Sequence, residues 1–263
     1  MQLSDCRVLI TGATGGIGRE LVEKLCASGA HLLLVGRNAA ELQQLASRQT
    51  GKVCVVEADI AERQGRDAVL AAARSFGGIN TLINAAGQNR FSMLEQHDEE
   101  AITALIDVNV TATLLLTRRM LPLLLQQGRG SVVNIGSTFG SIGYPGFTAY
   151  CASKFAIRGF SEALRRELAD TQVKVLYIAP RATRTGMNAE NVVAMNDELK
   201  VSMDEPQAVA AQVLEAIRAG RGELYLGWPE KFFVKLNGLL PRLVDQSLRK
   251  QLPVIQRFAK SKN

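Results

Sequence analysis

Residues 8–18 read Val-Leu-Ile-Thr-Gly-Ala-Thr-Gly-Gly-Ile-Gly. Val8 to Thr11 is an apolar run of strand length, and an amphipathic stretch near 17–28 follows it directly. Between them stand Gly12, Gly16 and Gly18, in the spacing G-x-x-x-G-x-G. Glycines let such a turn close tightly and let backbone N–H groups approach a pyrophosphate. The N-terminus of the following helix aims a partial positive charge at the same anion. With Thr14 and Ile17 completing the turn, the segment predicts a nucleotide-binding strand–turn–helix unit.

The same alternation continues outward. Strand-like runs fall at Val8–Thr11, Leu32–Val35, Val53–Glu57, Thr81–Asn84, Ser131–Ile135, Val173–Ile178 and Glu223–Leu226. Helical stretches lie near 17–28, 39–49, 64–76, 98–127, 150–169 and 206–219. Strands alternating with helices predict right-handed βαβ units: an α/β fold with a doubly wound, parallel seven-stranded sheet covered on both faces. Residues 180–205 lack clear periodicity and read as loop with short helices, a candidate substrate lid. The expected organisation is one catalytic domain over residues 1–227 and a basic amphipathic extension over 228–263.

The 263 residues are 47% apolar and 21% charged, a globular balance that excludes disorder. Cys6, Cys26, Cys54 and Cys151 form no C-x-x-C, and His31 and His97 are the only histidines, so no metal site is expected. Reduced cysteines fit a cytoplasmic location. Asp5 and Arg7 speak against a signal peptide. The richest apolar stretch, Ala112 to Leu125, is short for a membrane span and is broken by Arg118, Arg119 and Pro122. The net charge of +6 resides wholly in residues 228–263, which carry eight cations and two carboxylates; the remainder is balanced. That distribution argues against a nucleic-acid-binding body.

Several strand ends carry candidate binding residues. After the second strand, Gly36-Arg37-Asn38 lacks the carboxylate that usually bonds the ribose 2′-OH of NAD. Arg37 is a fork donor where a 2′-phosphate would lie, which points to NADP(H); the alternative is a solvated arginine. Asp59, followed by Ile60, can accept from an adenine amino group or cap the next helix. Asn84-Ala85-Ala86-Gly87 supplies small residues against which a flat ring can pack. Tyr150 and Lys154 share a helix face at i and i+4. A cation beside a phenol favours phenolate, which predicts a Tyr150 pKa lowered towards working pH, as a general acid/base for a carbonyl or alcohol requires. Ser137 stands at the end of a strand thirteen residues earlier; Gly136-Ser137-Thr138-Phe139-Gly140 is not the G-x-S-x-G of a hydrolase.

In this order and spacing, the glycine turn, Asn84–Gly87, Asn109, Ser137 and the Tyr150/Lys154 pair resemble the short-chain dehydrogenase/reductase family over roughly residues 5–227. The resemblance implies a Rossmann-type domain and a tetrad. Tyr150 would move the proton, Lys154 would tune it and bond the nicotinamide ribose, Ser137 would bond the substrate oxygen, and Asn109 would hold a water in a proton relay. Of Pro180, Thr183 and Thr185, the last would meet the nicotinamide carboxamide. Helices 98–127 and 150–169 would form the interface of a homodimer or homotetramer. Arg181 departs from the family's glycine. Its side chain would narrow the site, recognise an acidic substrate or point to solvent, and Arg181 with Arg184 hints at an anionic substrate.

The expected activity is NADP-dependent interconversion of a carbonyl and a secondary alcohol on a small or lipophilic molecule, with Phe139, Ile142, Phe147, Met187 and Met195 offering an apolar pocket. The competing reading is a catalytically silent nucleotide sensor or scaffold. In the extension, Pro229, Pro241 and Pro253 predict short helices, and Val244, Leu248 and Leu252 form a stripe. Two roles are open for it: packing on the body or a second subunit, or peripheral contact with the inner face of a membrane.

Overall fold

A computed structural model describes residues 2–260. Its seven strands are β1 (Arg7–Thr11), β2 (His31–Gly36), β3 (Val53–Glu57), β4 (Thr81–Asn84), β5 (Gly130–Ile135), β6 (Val173–Ala179) and β7 (Glu223–Tyr225). They form one parallel sheet in the order β3-β2-β1-β4-β5-β6-β7, a Rossmann-like α/β architecture. Strand order reverses between β1 and β4, the switch point at which such sheets open a crevice.

Ten α-helices accompany the sheet in the described residues. Between strands lie α1 (Gly16–Ala27), α2 (Ala39–Ser47), α3 (Arg63–Ser75), α4 (Glu99–Ile106), α5 (Ala112–Gln126), α6 (Thr148–Glu167), α7 (Glu190–Glu198) and α8 (Pro206–Ala219). After β7 come α9 (Glu230–Leu239) and α10 (Pro241–Lys260). Side chains alternate across the pleat, so Val8 and Ile10 pack with Leu21, Leu25 and Val213 on one face of the sheet. Leu9 packs with Val69, Leu116 and Met120 on the other. Both faces are thereby closed, as continuous apolar strands require.

Three expectations are corrected. The stretch 98–127 is not one α-helix: a π-helical turn, Asp107–Thr111, separates α4 from α5 and carries Asn109. The combined run Glu99–Gln126 is long and apolar enough to cross a membrane, and Pro122 does not stop it. Leu116, Met120 and Leu124 nevertheless bury one face of it on the sheet. Finally, Pro253 does not cut the extension, because α10 continues through it. The cost of an interior proline is offset here by tertiary contacts beyond it: Ile255 is fully buried, and Arg257 pairs with Glu198. Lys262, one of the eight cations, lies outside the described residues.

Candidate active site

Sheet register places the two loops of the crevice against each other. Thr11 pairs with Asn84, so the chain leaving β1 at Gly12 runs beside Ala85 and Ala86. Gly12 has φ +66°, and a Cβ there would lie 2.7 Å from the Ala86 nitrogen. At Gly16 a Cβ would lie 2.5 Å from Cγ2 of Thr185, and at Gly18 it would overlap the Gly12 carbonyl oxygen. The turn therefore has room for backbone only, and it ends at the N-terminus of α1. A dinucleotide pyrophosphate fits such a cradle. Thr185 stands over it from the β6 side.

The other expected cofactor residues divide. Arg37 is exposed just past the end of β2, and among the described residues its side chain has no hydrogen bond or ion pair. Asn38 caps α2, accepting from the Glu41 N–H at 3.1 Å. Asp59 accepts from the Ala61 N–H at 2.9 Å and so shapes its own turn, while the N-cap of α3 is Glu62. Ile60 is buried. The Asn84 side chain turns away from the crevice to donate to Thr117 and Asn134, at 3.1 and 2.8 Å. Any cofactor contact by Asn84 must therefore use its backbone. Thr183 is likewise occupied: it is buried, and its hydroxyl donates to the Arg181 carbonyl at 2.9 Å. The carbonyl of Pro180 accepts from the Thr138 N–H at 3.0 Å. Sequence reasoning missed Arg19, which donates to the Thr14 carbonyl at 2.7 Å and pairs with Glu41 at 3.3 Å, tying the glycine turn to α2.

Asn109, Ser137, Tyr150 and Lys154 converge from the π-helical turn, the end of β5 and α6. The Ser137 hydroxyl accepts from the Phe139 N–H at 3.1 Å and stands beside the Tyr150 phenol, whose charged form it favours. Lys154 Nζ lies 5.6 Å from the centre of the Tyr150 ring and donates to the Ile135 carbonyl at 3.0 Å. Asn109 is buried and fully engaged: its side chain accepts from the Gln88 N–H and donates to the Gln88 carbonyl, both at 2.9 Å. It also donates to the Ser153 hydroxyl at 3.0 Å. A Cβ on Gly87 would lie 3.7 Å from Lys154 Nζ, so the second loop of the crevice ends at the tetrad.

Tyr177 is a second residue the sequence did not flag. It is fully buried on β6 and its hydroxyl donates to the Ser137 carbonyl at 3.0 Å. Its ring fills the space beside Gly136 and Gly140, where any side chain would overlap it. Ser137 is thus held through its backbone.

The electrostatics reverse one expectation. Burial pushes the Tyr150 phenol up to about 12, against a smaller lowering by the Ser137 hydroxyl beside it, and pushes the Lys154 ammonium down to about 8. The spacing i, i+4 makes the two neighbours, but desolvation of both outweighs any attraction between them. Tyr150 is therefore a protonated phenol at neutral pH.

Around Tyr150 the walls are apolar. Phe139 and Phe147 meet its ring edge-on at 6.4 and 6.2 Å, with Met195 in the same cluster. Met187 is exposed, and Ile142 is not part of this cluster. In their place α10 contributes Ile255 and Phe258, a wall that strand and helix periodicity gives no means of assigning. The Arg181 part of the anionic-substrate hint is overturned. Arg181 is spent on Asp204 at 2.6 Å and Glu230 at 3.3 Å, and Arg184 pairs with Glu205 at 3.2 Å.

Known proteins agree with this architecture. The family model described as short chain dehydrogenase matches residues 7–196. A protein of Staphylococcus aureus (strain MW2), named an uncharacterized oxidoreductase, is 34% identical over 217 residues, covering 82% of this chain and 92% of its own. The crystal structure of a short chain dehydrogenase from Burkholderia cenocepacia J2315, in complex with NADP, superposes with a TM-score of 0.81 at 28% identity. That match covers 94% of this chain and 99% of the other. A short-chain dehydrogenase from Streptomyces avermitilis gives 0.80 at 26% identity, covering 94% and 98%. With the family model matching most of the chain, and the strand order and crevice in agreement, this protein belongs to the short-chain dehydrogenase family of oxidoreductases.

Proposed function

We propose that the protein is an NADP(H)-dependent reductase of lipophilic carbonyl compounds. The observation that carries the reading is the Ser137–Tyr150–Lys154 cluster at the mouth of the crevice, closed on its outer side by aromatic and aliphatic side chains. The glycine cradle and the unpaired Arg37 suit a pyrophosphate and a 2′-phosphate. When bound, the nicotinamide supplies the hydride. The chain's own residues supply the rest. Ser137 donates a hydrogen bond to the carbonyl oxygen, and the Tyr150 O–H gives that oxygen its proton. Charged Lys154 stabilises the negative charge that this transfer leaves on the phenolate. Asn109 keeps the Gln88 loop against α6 through its three hydrogen bonds. Phe139, Phe147 and Ile255 exclude water from the reacting oxygen. For assembly, α5 and α6 present exposed Leu125 and Phe155, which suits a homo-oligomeric contact.

The cofactor half is tested by fluorescence titration of the purified protein. NADPH should bind roughly 10- to 150-fold more tightly than NADH, the worth of charge-assisted bonds to a 2′-phosphate. Arg37→Leu should remove most of that ratio; equal affinities in the unaltered protein would overturn the NADP assignment.

A pH profile tests the proton machinery. Tyr150 stays protonated up to about 12, so it sets no limb in the ordinary range. Lys154 is charged below about 8 and neutral above it. The kcat/KM for reduction should therefore hold on the acid side and fall as pH rises through about 8. A profile flat to pH ~10 would remove Lys154's charge from the mechanism.

A further inference from the structure

The extension has two halves with different relations to the body. α10 packs: Val244 and Ile255 are buried, and Tyr144 donates to Gln251 at 3.2 Å. α9 buries no residue. Its inner side is fixed by Asn237, which donates to the Ser141 carbonyl at 2.9 Å. Phe232, Lys235 and Leu239, at i, i+3 and i+7, stand exposed along one side of it. Of the exposed large apolar side chains in the described residues, Trp228, Phe232, Phe233, Leu239, Leu240 and Leu243 all fall within residues 228–243. Trp228 is 71% exposed and Leu239 80%. An exposed apolar cluster of this kind, with the Trp228, Phe232 and Phe233 rings in contact, marks a contact surface.

The charges choose the partner. Lys231, Lys235 and Arg242 stand exposed among those apolar side chains, with Arg249 and Lys250 further along α10. Among the described residues, none of the five makes an ion pair. An isologous contact between two copies would set this cationic patch against itself. An anionic bilayer offers what the patch lacks: phosphates for the cations and an acyl boundary for the aromatic and leucine side chains. A groove of about 840 Å³ between α9 and β7, with Trp228, Phe232 and Leu239 on its walls and Lys231 and Lys235 beside them, adds further apolar surface at the same place.

We propose that residues 228–243 dock the protein on an anionic lipid surface, with Trp228, Phe232 and Leu239 entering the headgroup boundary and Lys231, Lys235 and Arg242 pairing lipid phosphates.

Trp228 is the chain's one tryptophan, so the full-length protein carries its own reporter. Vesicles of phosphatidylcholine with roughly one third phosphatidylglycerol should shift its emission to the blue; phosphatidylcholine alone should not. Salt at ~1 M should reverse the shift, since screening then acts within about 3 Å. Lys231→Gln with Lys235→Gln should weaken vesicle partition about fivefold per lysine, about 25-fold together, with circular dichroism and NADPH affinity unchanged. Emission unmoved by anionic vesicles would overturn the proposal. So would a blue shift that grows with protein concentration without lipid, alongside a doubled mass in the ultracentrifuge, because a second copy would then own the patch.

Discussion

Tyr150→Phe is expected to lower kcat for carbonyl reduction by about 10²- to 10⁴-fold, the usual contribution of a positioned proton donor. The change removes one oxygen and nothing else. The ring keeps its edge contacts with Phe139 and Phe147, and Lys154 keeps its bond to the Ile135 carbonyl. Ser137 keeps the Phe139 N–H on its hydroxyl, so the fold should survive. NADPH affinity should stay within about threefold, because a Lys154 that remains in place still faces the crevice beside Gly87. The measurement is single-turnover reduction with saturating NADPH, beside a binding titration. Turnover that survives the substitution would move the proton donor elsewhere. A substitution that abolishes turnover yet leaves the protein's cellular role untouched would favour the nucleotide sensor over the reductase.

How much of this was legible in the sequence depends on the range of the interaction. Strands were readable because burial on both faces leaves runs such as Val8–Ile10 and Leu32–Val35 with nowhere polar to point. The glycine turn and the Tyr150/Lys154 pair are local patterns, and both stand where expected. The π-helical turn was not readable: Asp107-Val108-Asn109-Val110-Thr111 continues the helical pattern, and its crowding of β-branched residues is only a weak signal. Non-local effects were invisible. Tyr177 looks like one more apolar position on β6, and only the fold puts its hydroxyl under Ser137. Arg181 looks like a free cation near the site until Asp204, 23 residues on, and Glu230, beyond β7, close around it. The Tyr150 shift fails for the same reason. Spacing reports which groups are neighbours, whereas desolvation is a property of everything packed around them.

Gly12→Ala should damage stability and cofactor binding together. Two costs add there. At φ +66° an alanine loses roughly 1–2 kcal/mol in the left-handed region. Its Cβ would also sit 2.7 Å from the Ala86 nitrogen and 2.8 Å from the Ala85 carbonyl oxygen. Those atoms are backbone, fixed by the Thr11–Asn84 register and by the Ala86 N–H donating to Thr11 at 3.2 Å, so no side chain can swing aside. Forced overlap of this kind costs about 1–3 kcal/mol. The sum, roughly 2–5 kcal/mol, corresponds to a fall in melting temperature of roughly 4 to 20 °C for a domain of this size. Relief can come only by parting the two loops, which are the walls of the pyrophosphate cradle, so NADPH affinity should fall along with stability. Gly143→Ala is the internal comparison: a Cβ there meets nothing within 4 Å, and melting should stay within about 0.5 kcal/mol of the unaltered protein. Differential scanning calorimetry with and without NADPH separates the two costs. A Gly12→Ala variant that melts with the unaltered protein and binds NADPH equally well would mean that the β1 and β4 loops part freely, and the close approach of Gly12 to Ala86 would then not be what shapes the crevice.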